Sequence, residues 1–308
     1  MTNVCIIGYK PKDPYSFTNQ QVLKRALEKK NCNISYIDFS NADVAEDGSI
    51  LSENSKVEAF DLGLFATPIF TIPEVPNFER QNNILNKLKS YSNTIFVNSI
   101  DPHINTCNKS YMYEVLKEYD LPFPNTFNLA NNVTDEELEE KILELNGYPV
   151  VMKHPLSSMG REVYLCNNLQ ELRAQEQELR LKRLGNIPIV IQEYFKYSEG
   201  LSINVRVIGD RVIPRITLGT PYAEPFKSNF AEGRGFIACK PIPELEELSI
   251  KATRALGLDT ARLDIFIGEQ GFSICEVNSI GSLIDAEQAW LSNIGEDFVD
   301  YCLQKVNE

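Results

Sequence analysis

The chain has 308 residues, of which 43% are hydrophobic and 24% charged, with a formal net charge of −13. This composition excludes a disordered or collagen-like chain, and the length suggests two domains or three small ones. The acidic balance argues against a nucleic-acid or anionic-membrane binder, since phosphate surfaces are held by Lys and Arg.

The start, Met1-Thr-Asn-Val-Cys-Ile-Ile7, lacks the charged segment and small-residue cleavage site of a secretory signal and reads as a first strand. Apolar runs such as Ile6–Ile7 and Ile189–Ile191 are far too short to span a bilayer. Seven cysteines at wide spacing, without a CxxC, argue against a disulfide framework or a zinc site and fit a reducing, cytoplasmic compartment. Several, Cys5 and Cys275 among them, sit in apolar strand patterns as small hydrophobes. With only His103 and His154, a His-based triad has little material.

The first hundred residues alternate strand and helix, which implies an open parallel sheet. Val4–Ile7 is a strand ending at Gly8; Thr18 and Gln21 read as a capping box for a helix whose apolar face is Val22, Leu23, Ala26 and Leu27. Strands follow at Ile34–Phe39, Leu62–Ala66 and Thr94–Val97, with a polar helix over 77–90. The first turn, Gly8-Tyr-Lys-Pro11, carries no GxGxxG, so a dinucleotide site there is disfavoured. A boundary falls near 100–108, giving units 1–105, 106–190 and 191–308. Lys109–Tyr119 is a helix, Thr134 and Glu137 cap another, Pro149–Lys153 is a strand, and a long charged helix with a solvated face spans Asn168–Leu184. Ile189–Glu193 is a strand, a hairpin turns at Gly209-Asp210, and a helix runs over Glu244–Leu256.

The most informative segment is Arg262-Leu-Asp-Ile-Phe-Ile-Gly-Glu-Gln-Gly-Phe-Ser-Ile-Cys-Glu-Val-Asn278. A three-residue loop, Glu269-Gln-Gly271, pairs Gly268 with Phe272 and sets Asp264 opposite Glu276. Two carboxylates about 5 Å apart on one face are destabilising unless compensated. Asn278, two residues on, adds an amide oxygen to that face, while Leu263, Ile265, Ile267, Cys275 and Val277 take the other. This oxygen set suits a hard cation such as Mg2+ held against phosphates; a solvent-facing polar strip is the plain alternative. Lys153, followed by Ser157-Ser-Met-Gly160, is either a phosphate-neutralising lysine beside a donor loop or an ordinary strand-end lysine. Gln192-Glu-Tyr-Phe195 either offers backbone groups and an aromatic wall to a base or is simply a strand end.

In this order and spacing the three pieces resemble the ATP-grasp superfamily, in particular its glutathione synthetase and ribosomal-protein glutamate ligase (RimK-like) branch. The resemblance is best from Asn98 to Leu283. It implies an ATP-grasp fold of α/β and α+β parts: an N-terminal Rossmann-like domain, a central lobe, and a C-terminal lobe with a metal-binding hairpin. It implies ATP and Mg2+ (or Mn2+) as cofactors and an ATP-dependent ligase joining a carboxylate to an amine. Lys109, Lys153, Ser157, Ser158 and Gly160 match the phosphate-facing positions, and Glu193, Tyr194 and Phe195 the adenine hinge. Asp264, Glu276 and Asn278 match the metal ligands. Lys227, Asn229 and Arg234 lie where basic and amide groups steady the acyl phosphate.

Three departures stand out. Ser202 and Asn204 replace the usual acidic residue and arginine, which shifts ribose contact to Glu199 and the charge to Arg206 on the same strand face. Ser279-Ile-Gly-Ser-Leu283 replaces the usual Ser-Pro-Gly-like turn, and Thr67-Pro68 lacks the arginine that some relatives place there. The expected partners are small-molecule acids and amines, free or carried on a peptide or carrier, with no nucleic acid and no membrane; a homo-oligomer is left open. A small-molecule kinase of the same fold and a nucleotide-binding scaffold without turnover remain as alternatives.

Overall fold

The computed structural model describes residues 1–9, 18–70, 78–157, 160–182, 187–195, 202–217, 236–238, 240–269, 271–284, 287 and 293–308, the side chains of 215–217 and 236–238 excepted. Three main sheets follow one another along the chain.

The first is built from β1 (Asn3–Gly8), α1 (Asn19–Lys29) and β2 (Asn33–Asp38), then β6 (Leu62–Phe65), α2 (Phe78–Lys89) and β7 (Ile95–Val97). Between them, β3 (Asp43–Val44), β4 (Ile50–Ser52) and β5 (Ser55–Lys56) form a small antiparallel sheet. The main strands run in the order β2-β1-β6-β7, all parallel, as strand–helix alternation requires. Both faces of this sheet are covered, and β1 is apolar from Val4 to Ile7. Val4 and Ile6 face Val22, Leu23 and Leu27 of α1. Cys5 and Ile7 face Ile84, Leu85 and Leu88 of α2. The Thr18–Gln21 capping box does not form: the Gln21 amide is bonded to the backbone carbonyl of Thr18 at 3.0 Å, which leaves it unavailable to the hydroxyl.

A short helix, α3 (Ile100–Asn105), leads into α4 (Lys109–Glu118). The second sheet comprises β8 (Thr126–Leu129), β9 (Val150–Lys153), β10 (Val163–Cys166) and β11 (Ile189–Glu193), backed by α5 (Asp135–Glu144) and α6 (Leu169–Lys182). Here the Thr134–Glu137 capping box is complete, with bonds of 3.2 and 2.9 Å.

The third sheet is antiparallel, in the order β14-β13-β12-β15-β16: β12 (Ser202–Ile208), β13 (Arg211–Thr217), β14 (Phe236–Ala238), β15 (Thr260–Gly268) and β16 (Gly271–Asn278). Helices α4 and α7 (Pro243–Ala255) cover one face, burying Met112, Leu116 and Ala252 against Val205, Leu263 and Val277. The opposite face carries the polar residues of the candidate site. The last helix, α8 (Ile294–Val306), returns to the first sheet, where Phe298, Val299 and Cys302 join the core of α1. Among the described residues no helix is long and apolar enough to cross a membrane.

The β15–β16 hairpin corrects one expectation and keeps its consequence. Gly268 pairs with Gly271, not Phe272, so the loop has two residues rather than three. A bulge at Cys275 then shifts the register by one, and Asp264 still lies opposite Glu276. The bulge also changes which residue faces the core. Ile274, fully buried, takes the place expected for Cys275. Ile274→Ala is therefore expected to cost about 2–5 kcal/mol in chemical denaturation, and Cys275→Ala clearly less. Equal costs would place the bulge elsewhere.

Candidate active site

The polar face of the third sheet is a grid. One rung across β12, β15 and β16 is Asn204–Asp264–Glu276, and the next is Arg206–Arg262–Asn278. Alternation along each strand puts all six on one side. The opposed carboxylates are compensated from three directions. Arg262 Nη2 donates to both oxygens of Asp264, at 2.9 and 2.7 Å. Asn204 Nδ2 donates to Asp264 Oδ1 at 2.6 Å. Lys109 Nζ pairs with Glu276 Oε1 at 2.8 Å and also donates to the Ser157 carbonyl. Lys109 is the first residue of α4, where Asn108 caps the helix by accepting from the Ser110 amide at 3.0 Å. That cap fixes where the lysine leaves the helix.

Lys153 ends β9 and is buried. Its ammonium donates to Gln192 Oε1 at 2.6 Å, and Gln192 in turn donates to Thr126 at 2.9 Å. Burial opposes the charge, but Tyr113, Cys275 and Glu276 outweigh it and hold the Lys153 pKa above its ordinary value. The lysine therefore stays protonated at neutral pH. The neighbouring thiol of Cys275 is pushed up to about 11, chiefly by burial, and is not a thiolate.

Lys109, Ser157, Glu276 and Asn278 line one cleft together with Pro68, Phe70 and Ile280. Ser157 is held by its own turn, with Oγ donating to the His154 carbonyl at 2.9 Å, and Gly160 has φ +67°. The Glu193 carboxylate accepts from Asn125 at 2.9 and 3.0 Å and from Asn146 at 3.2 Å, so what Glu193 offers a base is its backbone. Phe195 stacks on Phe266 of β15 at 5.2 Å, tying the end of β11 to the hairpin; Tyr194 lies beside it in the chain. Ser202 is buried at the start of β12. Arg206 donates from Nη2 to the Ser282 carbonyl at 3.0 Å. Ser158, Glu199, Lys227, Asn229 and Arg234 lie outside the described residues.

Arg262 and Gln192 were not singled out from the sequence. Arg262 was legible, since it stands two residues before Asp264 and so shares its face. Gln192 precedes the hinge and shows its purpose only through its contact with Lys153. Among the described residues no three His, Cys, Asp or Glu cluster for a metal. The available donors are two carboxylates and one amide oxygen, hard ligands that fit a cation also held by phosphates.

Behind the cleft, His103 stacks on Phe65 at 4.4 Å, and its Nε2 donates to the Thr67 carbonyl at 3.1 Å. Burial lowers its pKa to about 4. The folded state thus favours the neutral ring. Its stability is complete above about pH 6.5 and is lost as pH falls toward about 4. Between pH 7 and 5 this group alone costs about 2 kcal/mol. His103→Phe, which keeps a stacked ring, is expected to lose that much less stability over the same interval. Parallel curves for the two proteins would refute the assignment.

The RimK-like ATP-grasp domain family matches residues 106–302. The chain is 26% identical over 208 residues to N-acetylaspartylglutamate synthase A of Mus musculus, covering 67% of this chain and 53% of that protein. It is 28% identical over 178 residues to the ribosomal protein bS6–L-glutamate ligase of Escherichia coli O81 (strain ED1a), covering 55% of this chain and 58% of that one. The chain thus spans a little over half the length of these curated relatives. A solved structure of the ATP-grasp ligase PsnB, complexed with a phosphomimetic variant of its minimal precursor, Mg and ADP, superposes with a TM-score of 0.71 at 16% identity, covering 98% of each chain.

Proposed function

The chain belongs to the RimK-like ATP-grasp family, and from that premise we propose that it is an ATP- and Mg2+-dependent carboxylate–amine ligase working through an acyl phosphate. The observation that carries this reading is the Asp264–Glu276 rung with Asn278 beside it, faced by Lys109 and within electrostatic reach of Lys153. Asp264, Glu276 and Asn278 would hold Mg2+, which when bound neutralises phosphate charge. The three sheets would act as three units, with boundaries near residue 105 and at 190–193.

In this mechanism a substrate carboxylate attacks the γ-phosphate of ATP. Lys153, oriented by Gln192, and Lys109 at the mouth of the phosphate loop, with Ser157, Ser158 and Gly160, neutralise the transferred group. Such transfer depends mainly on positioning and electrostatics. Glu193, Tyr194 and Phe195 would border adenine, with Glu199 and Ser202 toward ribose. Arg206, Arg262, Lys227, Asn229 and Arg234 would steady the oxyanion formed when the amine attacks. Phosphate then leaves and the amide remains. Asn204 binds Asp264, so the positive charge that relatives carry at this position falls to Arg206, one rung along. The names of the curated relatives put glutamate first among the amines to test.

The test is release of ADP and phosphate from Mg2+-ATP across pairs of acids and amino acids, with mass spectrometry of the products. The expected result is release that needs one particular pair and a product mass equal to their sum minus water. ADP without free phosphate, together with a product heavier by one phosphoryl group, would establish a kinase instead. Glu276→Gln is expected to abolish turnover with little loss of folding. Lys153→Ala should raise the KM for ATP and lower kcat by about 100- to 1000-fold. Wild-type kinetics for either variant would remove that residue from the site.

A further inference from the structure

Asn98 directly follows β7 of the first sheet yet spends its whole side chain on the third. Its Oδ1 accepts from the backbone amides of Asp259 and Thr260, both at 2.8 Å. Its Nδ2 donates to the carbonyl of Thr260 at 2.8 Å and to that of Ser279 at 2.7 Å. A primary amide has two donors and two acceptor sites, and here all four are used. The pattern also fixes the amide's orientation, because exchanging O and N would set like against like at every contact. The residue is 2% exposed, so none of these bonds is shared with bulk water.

The location of these bonds gives them meaning. The β15–β16 ladder ends at the Arg262–Asn278 rung. Just beyond it Thr260 leads into one strand and Ser279 leaves the other, and Asn98 bridges the two. A side chain from another sheet thus closes the open end of the hairpin. Ser279 follows Asn278 directly and is held a second time by its hydroxyl, which donates to the His103 carbonyl at 3.1 Å. With Ser279 fixed on both sides, the backbone of Asn278 has little freedom.

We propose that Asn98 is a positioning residue for the metal-binding end of the hairpin, setting the Asn278 amide beside the Asp264–Glu276 pair from outside the domain that carries them. The inference rests on the metal-site reading given above. Groups that orient metal ligands without touching the metal typically contribute 10- to 100-fold to affinity when removed.

The experiment measures ADP binding by calorimetry in Mg2+ and in EDTA, with no turnover required. Wild type is expected to bind ADP more tightly in Mg2+. Asn98→Ala is expected to lose roughly 10- to 100-fold of that Mg2+-dependent gain, with its affinity in EDTA unchanged. Tyr301→Phe is the structural control, since it removes a 3.0 Å bond to Asp259 at the same corner without touching Ser279; it should keep the gain. If Asn98→Ala keeps the gain, or Tyr301→Phe loses it equally, the inference is overturned. If Asn98→Ala does not fold, hydrogen exchange on wild type decides. Mg2+-ADP must slow the Asp259 and Thr260 amides beyond ADP in EDTA, because coupling is reciprocal; unchanged exchange overturns the proposal. If wild type itself shows no Mg2+-dependent gain, the metal-site reading falls, and this inference with it.

Discussion

Two carboxylates facing each other on one rung of a sheet cannot be left alone, and much of this molecule is arranged to meet that constraint. Asp264 is neutralised from its own strand by Arg262 and hydrogen-bonded from the neighbouring strand by Asn204. Glu276 is neutralised from a helix more than 150 residues earlier in the chain, by Lys109. That lysine can reach because α4 packs on the opposite face of the same sheet, with Met112 and Leu116 in the common core. Its position at the first turn is set by the Asn108 cap. The apolar core is thus what allows the electrostatics: it brings the start of α4 to the edge of the sheet, where the charge is needed.

A second constraint concerns the turn after Asn278. Residues 279–283 are held from outside. Asn98 takes the carbonyl of Ser279, Arg206 that of Ser282, and Asn19 those of Gly281 and Ala66 while accepting from Leu283. Gly281 itself lies against Arg262 and Arg206 so closely that a Cβ there would stand 2.4 Å from one guanidinium-bearing side chain and 2.9 Å from the other. Asn19 of α1 and Asn98 after β7 therefore help shape a loop that follows the third sheet, and the basic rung packs on the glycine of that loop. The last helix closes the circuit by burying Phe298 and Cys302 in the first sheet's core and pairing its Glu296 with Lys29 and its Asp300 with Lys30 at the end of α1.

Local features were largely legible in the sequence, and tertiary ones were not. Alternation from Arg262 to Asn278 identified the hairpin and the carboxylate pair because strand periodicity alone sets which residues share a face. The bulge was hidden. A three-residue turn with regular pairing and a two-residue turn with one bulge predict the same rung for Asp264, and they differ in the pairs from Ile265 to Gly268, on the turn side of the bulge. The Thr18–Gln21 pattern matched a capping box, yet the backbone took the amide first. Strands of two or three residues, such as β3 to β5, are too short for periodicity to register. Asn98 carries no sequence signal, since an asparagine after a strand usually marks a turn; its role depends on partners 161 to 181 positions away.

The charge balance of the site finally explains how an acidic chain can serve an acidic ligand. The chain carries a net −13. On the described part of the site face, however, Lys109, Lys153, Arg206 and Arg262 stand against Asp264 and Glu276, four cations to two anions. The surplus of two is held where burial weakens solvent screening, so it counts for more than the same charges spread over the surface. An anionic nucleotide meets repulsion from the whole and attraction at one cleft, which favours selective capture over non-specific phosphate binding. Asn204 is uncharged, and Arg206 two residues on keeps that balance positive. Arg206 stands on the rung of Arg262 and Asn278, next to the carboxylate rung and beside the loop that Gly281 brings close. Asn204 therefore bonds Asp264 without adding charge, and the cations of the site face stand at Lys109, Lys153, Arg206 and Arg262.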